Sequence, residues 1–189
     1  YLNSNNEIKS SSEEKYENLE PWIQWYSFYS NKSFEDHKVF HLNHQTNIKQ
    51  ENFLCILAKK IKIGIFASMN LPYDTKYKVF IPDPWSTSSS DNSLNSKLIS
   101  TAISQLVNTN SRIKISLRSI LGIILLIGLP KNLSDFKNVF KSFIAFLKKD
   151  RTLLASYFDY YFIRYALRRH NDLKLDLSTI FLLNQSLPR

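Results

Sequence analysis

Glycine is scarce in this chain of 189 residues, which contains only three, at Gly64, Gly122 and Gly128. Their spacing excludes a dinucleotide-binding GxGxxG loop and a Walker motif, both of which need clustered glycines. Cysteine is scarcer still, because Cys55 is the only one. A disulfide framework and a zinc site built from cysteines are therefore excluded. A lone thiol suits a reducing compartment, and we expect a cytoplasmic protein.

Long apolar runs are also missing. The most apolar run, 120–129, has about ten residues, whereas a membrane-spanning helix needs about 20. This run fits a buried helix, and we predict no membrane span. The chain begins at Tyr1, and no charged segment followed by an apolar core is visible in it, so these residues contain no recognisable signal peptide, and one upstream of Tyr1 is left open.

Acidic residues are outnumbered, since 16 Asp and Glu face 25 Lys and Arg and the net charge is +9. Basic proteins bind nucleic acid, anionic lipid or phosphorylated substrates. The cations are scattered, however, and a lysine-rich composition alone explains them. The nearest approach to a cluster is Arg164, Arg168 and Arg169, which fits either a phosphate contact or a solvated helix end. No nucleic-acid-binding motif accompanies them, so a nucleic-acid partner is not expected.

What the chain does have is a pattern of helices and short apolar strands. Pro21 suits the first position of a helix, Asp91 suits an N-cap, and Asn132 or Ser134 can cap a later helix. The predicted helices span 21–30, 47–60, 91–107, 112–129, 133–148 and 151–170. The predicted buried strands are the apolar runs 61–67 and 177–183, and 79–81 is a short extended segment that ends at Pro82.

The same patterns predict which helix faces are buried. Helix 21–30 is apolar nearly all round, so we expect it to be buried. The segment 31–40 is predicted to be a loop. Helix 47–60 presents one apolar face, formed by Ile48, Phe53, Ile56 and Leu57.

Two buried strands separated by helices predict a parallel sheet in an α/β core, because a continuous apolar strand needs cover on both faces. We divide the chain into a partial α/β core over 1–85, an all-helical insertion over 86–172 and a return strand over 173–189. Two strong strands are too few to form a sheet that buries itself. We therefore expect the core within this chain to be incomplete.

One segment resembles a known family. The run 19–40, LEPWIQWYSFYSNKSFEDHKVF, resembles the alkaline-phosphatase-like superfamily, which includes type I phosphodiesterases and nucleotide pyrophosphatases. Its members share an aromatic residue, an S-x-x-T-G segment and an H-G pair. The corresponding residues here are Trp25, Ser27, Ser30, Asn31 and His37. Together with FIPDPW and LSTIFLLN, the run is similar to one bacterial subgroup, and the resemblance covers 13–189.

The resemblance implies an α/β/α sandwich with a mostly parallel sheet and, here, a large all-helical insertion. It implies a hydrolase of phosphodiesters, pyrophosphates or related esters, with a Thr or Ser nucleophile and two divalent metal ions such as zinc. Its partner is a small phosphorylated substrate. The family's first strand and most of its metal-ligand motifs have no counterpart here, so the resemblance implies that the chain is an interior fragment of a longer protein. We expect the metals in the full-length parent and none in this fragment. The fragment alone is then expected to be inactive.

Four residues are candidates for catalysis or substrate binding. The family's nucleophile position corresponds to residues 20–22, which contain no Ser or Thr here, so the nucleophile either lies among residues 10–12 or is absent. The catalytic candidates are therefore Ser12 and Glu20, although Glu20 also suits a partner of a helix dipole. For substrate binding, Asn70 follows the strand 61–67 in the SMNLP segment, where α/β proteins bind ligands. Trp22 fits either stacking on a substrate ring or a place in the core.

Other candidates fit structural roles. His37 matches the family's H-G histidine, which organises a loop. Asp83 lies between two prolines that hold the backbone extended, and it fits a turn better than a metal ligand. His41 and His44 have the spacing of metal ligands, but a surface loop is the alternative because no third ligand is near. No metal ligand is therefore placed in this chain.

The chain also departs from the family pattern. Asn31 and Lys38 stand where the family has glycine, and Glu20 stands in the region of the nucleophile. A catalytically degenerate member that binds a phosphorylated ligand without cleaving it is therefore the alternative to a hydrolase. A basic nucleic-acid-binding module is a third hypothesis.

Overall fold

The structure of the chain is a computed structural model that describes residues 22–39, 52–86, 89–108, 116–129, 133–148 and 151–182. Seven helices and three strands follow one another in these ranges. They are α1 Trp22–Ser30, α2 Phe34–His37, α3 Phe53–Leu57, β1 Ile63–Phe66, β2 Val79–Ile81, α4 Leu94–Asn108, α5 Leu117–Ile127, α6 Leu133–Leu147, α7 Arg151–Leu173 and β3 Leu177–Ile180. Among these helices, none has the length and apolarity needed to cross a membrane.

The three strands form one parallel sheet in the order β2-β1-β3. Gly64 of β1 pairs with Val79 on one side and with Ser178 on the other. The predicted α/β class with a parallel sheet is therefore confirmed, and segment 79–81 is a member of the sheet. β1 and β2 are buried throughout, but β3 is half-buried and ends at Ile180. The predicted strand over 177–183 is therefore confirmed as a strand, but its predicted length and its predicted burial are wrong.

One face of the sheet is covered by three helices, and we call it the helical face. It carries Phe66, Val79 and Ile81, which pack against α4, α5 and α7. The buried side chains that these helices contribute are Ile99, Ile103, Leu126, Tyr161, Phe162, Tyr165 and Ala166. The chain between β2 and β3 therefore shares one core with the sheet. The proposed boundaries of a helical insertion at 86–172 stay a prediction.

The opposite face carries Ile63, Ile65 and Phe80, and we call it the α1 face. Its cover comes from the short helices α1 and α3, of 9 and 5 residues. Polar groups are buried within this layer, since Cys55 Sγ lies 3.0 Å from the Tyr77 hydroxyl. The same hydroxyl donates a hydrogen bond of 3.2 Å to Asn52 Oδ1.

Helix α3 begins at Phe53 and not at residue 47, because Asn52 has an extended backbone and acts as its N-cap. The Asn52 Oδ1 accepts a hydrogen bond of 2.9 Å from the Cys55 backbone N–H. The predicted apolar face is also wrong, since Leu54 and Cys55 are buried. Phe53, Ile56 and Leu57 are 36%, 49% and 37% exposed, and Ile48 lies outside the described residues.

Helix α1 is buried along one side only, which contradicts the expectation that all of it is buried. Tyr26 and Tyr29 are buried, whereas Trp25 and Phe28 are 37% and 63% exposed. The segment 31–40 contains the short helix α2, so its prediction as a loop is wrong there.

Asp91 is buried and binds the edge of the sheet, although its predicted role was an N-cap. Its Oδ2 accepts hydrogen bonds from the Phe80 backbone N–H at 2.6 Å and from the Ser96 hydroxyl at 2.8 Å. The Asp91 backbone N–H in turn donates to the Phe80 carbonyl at 3.0 Å. The N-terminal turn of α4 is instead capped by Ser93, whose Oγ accepts from the Ser96 N–H at 3.2 Å.

Two arginines of α7 hold the neighbouring helices. Arg164 makes two hydrogen bonds to Asp135 of α6, at 2.6 and 3.1 Å. Arg168 donates to the carbonyls of Leu125 and Leu126 at 3.1 and 3.0 Å, at the C-terminal end of α5. Arg164 and Arg168 therefore have partners within the protein and do not form a simply solvated helix end, whereas a phosphate contact of Arg164, Arg168 or Arg169 stays a prediction.

Close packing also depends on Gly122 of α5. A Cβ atom at this position would lie 2.2 Å from the carbonyl oxygen of Leu98 in α4. The start of α5 is capped by Ser116, so this helix does not extend back through Ser116 to residue 112. Ser134 lies inside α6 and is not its N-cap, and the other candidate, Asn132, lies outside the described residues.

Candidate functional site

The candidate site lies at the carboxyl ends of β1 and β3. The strand order places β2 on one side of β1 and β3 on the other, so the direction of winding changes between β1 and β3. Ligands of open α/β sheets bind in the crevice at such a point. Here Ser68, just after β1, meets Thr179 of β3, with 2.7 Å between their hydroxyl oxygens.

A cleft of about 410 Å³ opens beside this pair of hydroxyls. Its walls are mainly aromatic, with Trp25 and Phe28 from α1, Phe53 from α3, and Phe181 after β3. Trp25 and Phe181 meet edge to face, with ring centroids 6.0 Å apart. The cleft therefore combines an aromatic and aliphatic wall with two hydroxyl groups, and an apolar lining with a few polar groups is common in small-molecule sites.

Tyr29 supplies a third hydroxyl at the cleft. It is 6% exposed and lines the cleft next to Ser68. Burial raises the pKa of Tyr29 to about 12, the hydrogen bond with Ser68 opposes this rise, and the charge of Asp83 adds to it. The phenol therefore stays protonated at neutral pH and acts as a hydrogen-bonding group.

Asp83 ties together the loops that follow β1 and β2. Its Oδ2 accepts from the Asn70 backbone N–H at 3.1 Å, and its Oδ1 accepts from the N–H groups of Trp85 and Ser86 at 3.1 and 2.9 Å. Burial raises the pKa of this carboxyl group, while the three N–H donors oppose the rise. Asn70 is fully buried beside it, with a left-handed φ of 50°. Its predicted contact with a substrate stays a prediction.

His37 joins α2 to α1. Its Nδ1 accepts a hydrogen bond of 2.9 Å from the Val39 N–H, so the proton is on Nε2, which lies 2.8 Å from Ser27 Oγ. The imidazole is 2% exposed, and burial lowers its pKa. Both ring nitrogens are used in local contacts, and the loop-organising role that the resemblance implies stays a prediction.

The remaining predicted residues cannot be assigned a geometry. Ser12 and Glu20 lie outside the described residues, as do His41 and His44, and the side chain of Trp22 is also outside them. Within the described part of the chain, no three His, Cys, Asp or Glu side chains are placed so that they could hold a metal ion.

The sequence alone did not predict that Ser68 contacts Thr179 and Tyr29. The available signal was the position of Ser68 in SMNLP, after a predicted strand, and of Thr179 inside another. Comparison of the chain with protein families, curated proteins and solved structures finds no match. The described residues form a mixed α/β fold with a three-stranded parallel sheet.

Proposed function

We propose that the chain is part of a hydrolase of phosphate esters, and that the cleft between β1 and β3 holds the organic group of a small phosphorylated substrate. The observation that carries the proposal is the cleft itself, which lies where parallel α/β sheets bind ligands. The resemblance to the alkaline-phosphatase-like superfamily supplies the reaction class.

Two backbone angles support this resemblance. Asn31 and Lys38 stand where the family has glycine, and both have positive φ values, of 53° and 56°. Glycine is the residue that adopts this conformation most readily, so the chain keeps the backbone shape that the family pattern implies at both positions. The proposed fold is accordingly an α/β/α sandwich of this type.

The lining of the cleft suits an organic group better than a phosphate. None of the described residues in its wall is Lys, Arg or His. Trp25 and Phe28 are partly exposed at the cleft and can stack against a ring of the substrate. Ser68 and Thr179 can exchange hydrogen bonds with its polar atoms, which leaves the phosphoryl group at the open end of the cleft.

The described residues do not fit the two divalent cations that the resemblance implies. Asp83 is the buried carboxylate beside the ends of β1 and β2, and both of its oxygens already accept backbone N–H bonds. The described ranges also contain no group of three metal-ligating side chains. The described residues therefore provide no site for these cations, and Ser12 and Glu20 stay the catalytic candidates.

Titration of the purified chain with phenyl phosphate and with inorganic phosphate, followed by calorimetry, tests the cleft. We expect phenyl phosphate to bind and inorganic phosphate not to bind. Trp25→Ala should weaken the binding of phenyl phosphate by about tenfold, because a stacked ring is lost. Leu94→Ala, at an exposed position of α4, is the control. Equal binding of both ligands, or no effect of Trp25→Ala, would contradict the proposal.

A second measurement tests the expectation that the chain lacks its catalytic groups. Incubated with bis(4-nitrophenyl) phosphate and zinc, the chain should release no nitrophenol. Turnover would place a complete catalytic site within these residues. A non-cleaving member of the same fold is the second candidate function, favoured by Glu20 in the region of the nucleophile. It predicts binding without turnover in a longer parent chain as well.

A further inference from the structure

The outward side of α6 carries an apolar stripe. Leu133, Phe136, Phe140 and Phe143 recur at helical spacing and are 72%, 62%, 64% and 55% exposed. Single exposed apolar residues are ordinary on protein surfaces, but a continuous stripe of this kind marks an interaction surface. We call these four residues the α6 stripe.

The α6 stripe is not needed to hold α6 in place. The inner side of the helix is fixed by Asp135, which is buried and bound to Arg164 of α7. Ala145 is also buried, and Val139 packs against the helical-face core. At about 100° per residue, Asp135 and Ala145 lie about 120° and 160° around the helix from the centre of the α6 stripe, and Val139 lies at its margin, about 80° away. The centre of the stripe therefore faces away from the protein.

A row of lysines runs beside the α6 stripe. Lys137 and Lys141 directly follow Phe136 and Phe140, which places them about 100° around the helix from those rings. Both lysines are exposed, as is Lys148 just after the helix. The only acidic residue in the sequence of α6 is Asp135, which is buried and paired. The outward charge of this helix is therefore entirely positive.

We propose that α6 docks on the surface of an anionic lipid membrane. The phenylalanine rings enter the boundary between headgroups and acyl chains, while the lysines contact lipid phosphates or carboxylates. The helix lies in the plane of the surface and does not cross the membrane. This proposal rests on α6 and not on the proposed hydrolase function.

Other partners explain fewer of these features. A nucleic acid would neutralise the lysines but leave the phenylalanine rings in water. A second copy of the chain would cover the rings through its own α6 stripe. Asp135 is the only acidic residue in the sequence of α6 and is paired with Arg164, however, so α6 of that copy offers no exposed carboxylate to meet Lys137 and Lys141. An anionic lipid surface satisfies both the apolar stripe and the charge.

Co-sedimentation of the chain with phosphatidylcholine vesicles, with and without phosphatidylglycerol, tests this proposal. We expect binding to the anionic vesicles only, and weaker binding at high salt. Phe140→Ser should lower the partition coefficient by about tenfold or more, because a ring no longer leaves water. Lys137→Gln combined with Lys141→Gln should lower it by about 25-fold, at about fivefold for each lysine.

Matched controls lie on α4. Leu94 is 69% exposed and Lys97 is also exposed, so Leu94→Ser and Lys97→Gln change the same chemistry on another helix. All variants should keep the circular dichroism and melting temperature of the parent chain. Equal binding to both kinds of vesicle would overturn the proposal. So would equal effects of Phe140→Ser and Leu94→Ser, or a dimer in sedimentation velocity that Phe140→Ser abolishes.

Discussion

The helical face and the α1 face of the sheet share the same three strands but are covered in different ways. Helices of 15, 11 and 23 residues cover the helical face, and their buried aliphatic and aromatic side chains form one cluster with those of the sheet. Helices of 9 and 5 residues cover the α1 face, where hydroxyl groups and a cleft lie between the side chains. One face therefore stabilises the fold, and the thinly covered face leaves room for a ligand.

The largest expected effect comes from emptying the core of the helical face. Phe162 is fully buried and its ring centroid lies 6.5 Å from that of Phe66. Phe162→Ala should lower the free energy of unfolding by about 3–5 kcal/mol, measured by denaturant titration. Leu167, which is 53% exposed on the same helix, is the control, and Leu167→Ala should stay within about 0.5 kcal/mol. If Phe162→Ala lowered the free energy of unfolding no more than Leu167→Ala does, the helical face would not be the face that stabilises the fold.

A smaller effect is expected where two helices of that face touch. Gly122→Ala places a methyl group against the carbonyl oxygen of Leu98, so α4 and α5 must move apart. We expect a net loss of about 1–3 kcal/mol in the free energy of unfolding. Helix propensity alone predicts the opposite sign, a gain of about 1 kcal/mol. A more stable variant in thermal unfolding would show that the two helices are not held this closely.

The smallest expected change in the free energy of unfolding comes from His37, which joins α2 to α1, and it depends on pH. Because burial lowers the pKa of His37, the unfolded chain takes up this proton more readily than the folded chain. The contribution of neutral, buried His37 to the free energy of unfolding is fully present above the unfolded pKa of about 6.5. It is lost as the pH falls below that value. Stability should therefore decrease on acidification through this range.

His37→Asn sharpens this test, because an amide oxygen can replace Nδ1 as acceptor for the Val39 N–H and does not titrate. At neutral pH the variant should be about 1 kcal/mol less stable, since the contact with Ser27 is lost. Its unfolding free energy, followed from neutral to acidic pH, should decline less than that of the parent chain. An identical decline in both chains would assign the titration to other groups.

The long elements could be predicted from the sequence because their patterns are local. The apolar run around Ile65 predicted β1, and the periodic residues of α7 predicted a long helix. Shorter elements depended on contacts that sequence does not show. Asn52 starts α3 later than predicted because its side chain caps the helix, and tertiary packing selects Leu54 and Cys55 as the buried face.

The candidate site was harder to predict for a physical reason. The hydrogen bond between Ser68 and Thr179 joins residues 111 positions apart, and it exists only because β3 pairs with β1. The sequence predicted both strands and a parallel sheet but not their order. Asp91 shows the same limit, because its attraction to the edge of β2 outweighs its preference for an N-cap.

The contacts of Asp91 have a consequence for self-association. Among the described strands, β2 lies at one edge of the sheet, and such an edge can recruit a strand from another chain. Asp91 occupies both the N–H and the carbonyl of Phe80, the middle residue of β2. An incoming strand would have to displace these two hydrogen bonds to pair with the middle of β2, so we expect Asp91 to disfavour association of two molecules through this sheet edge.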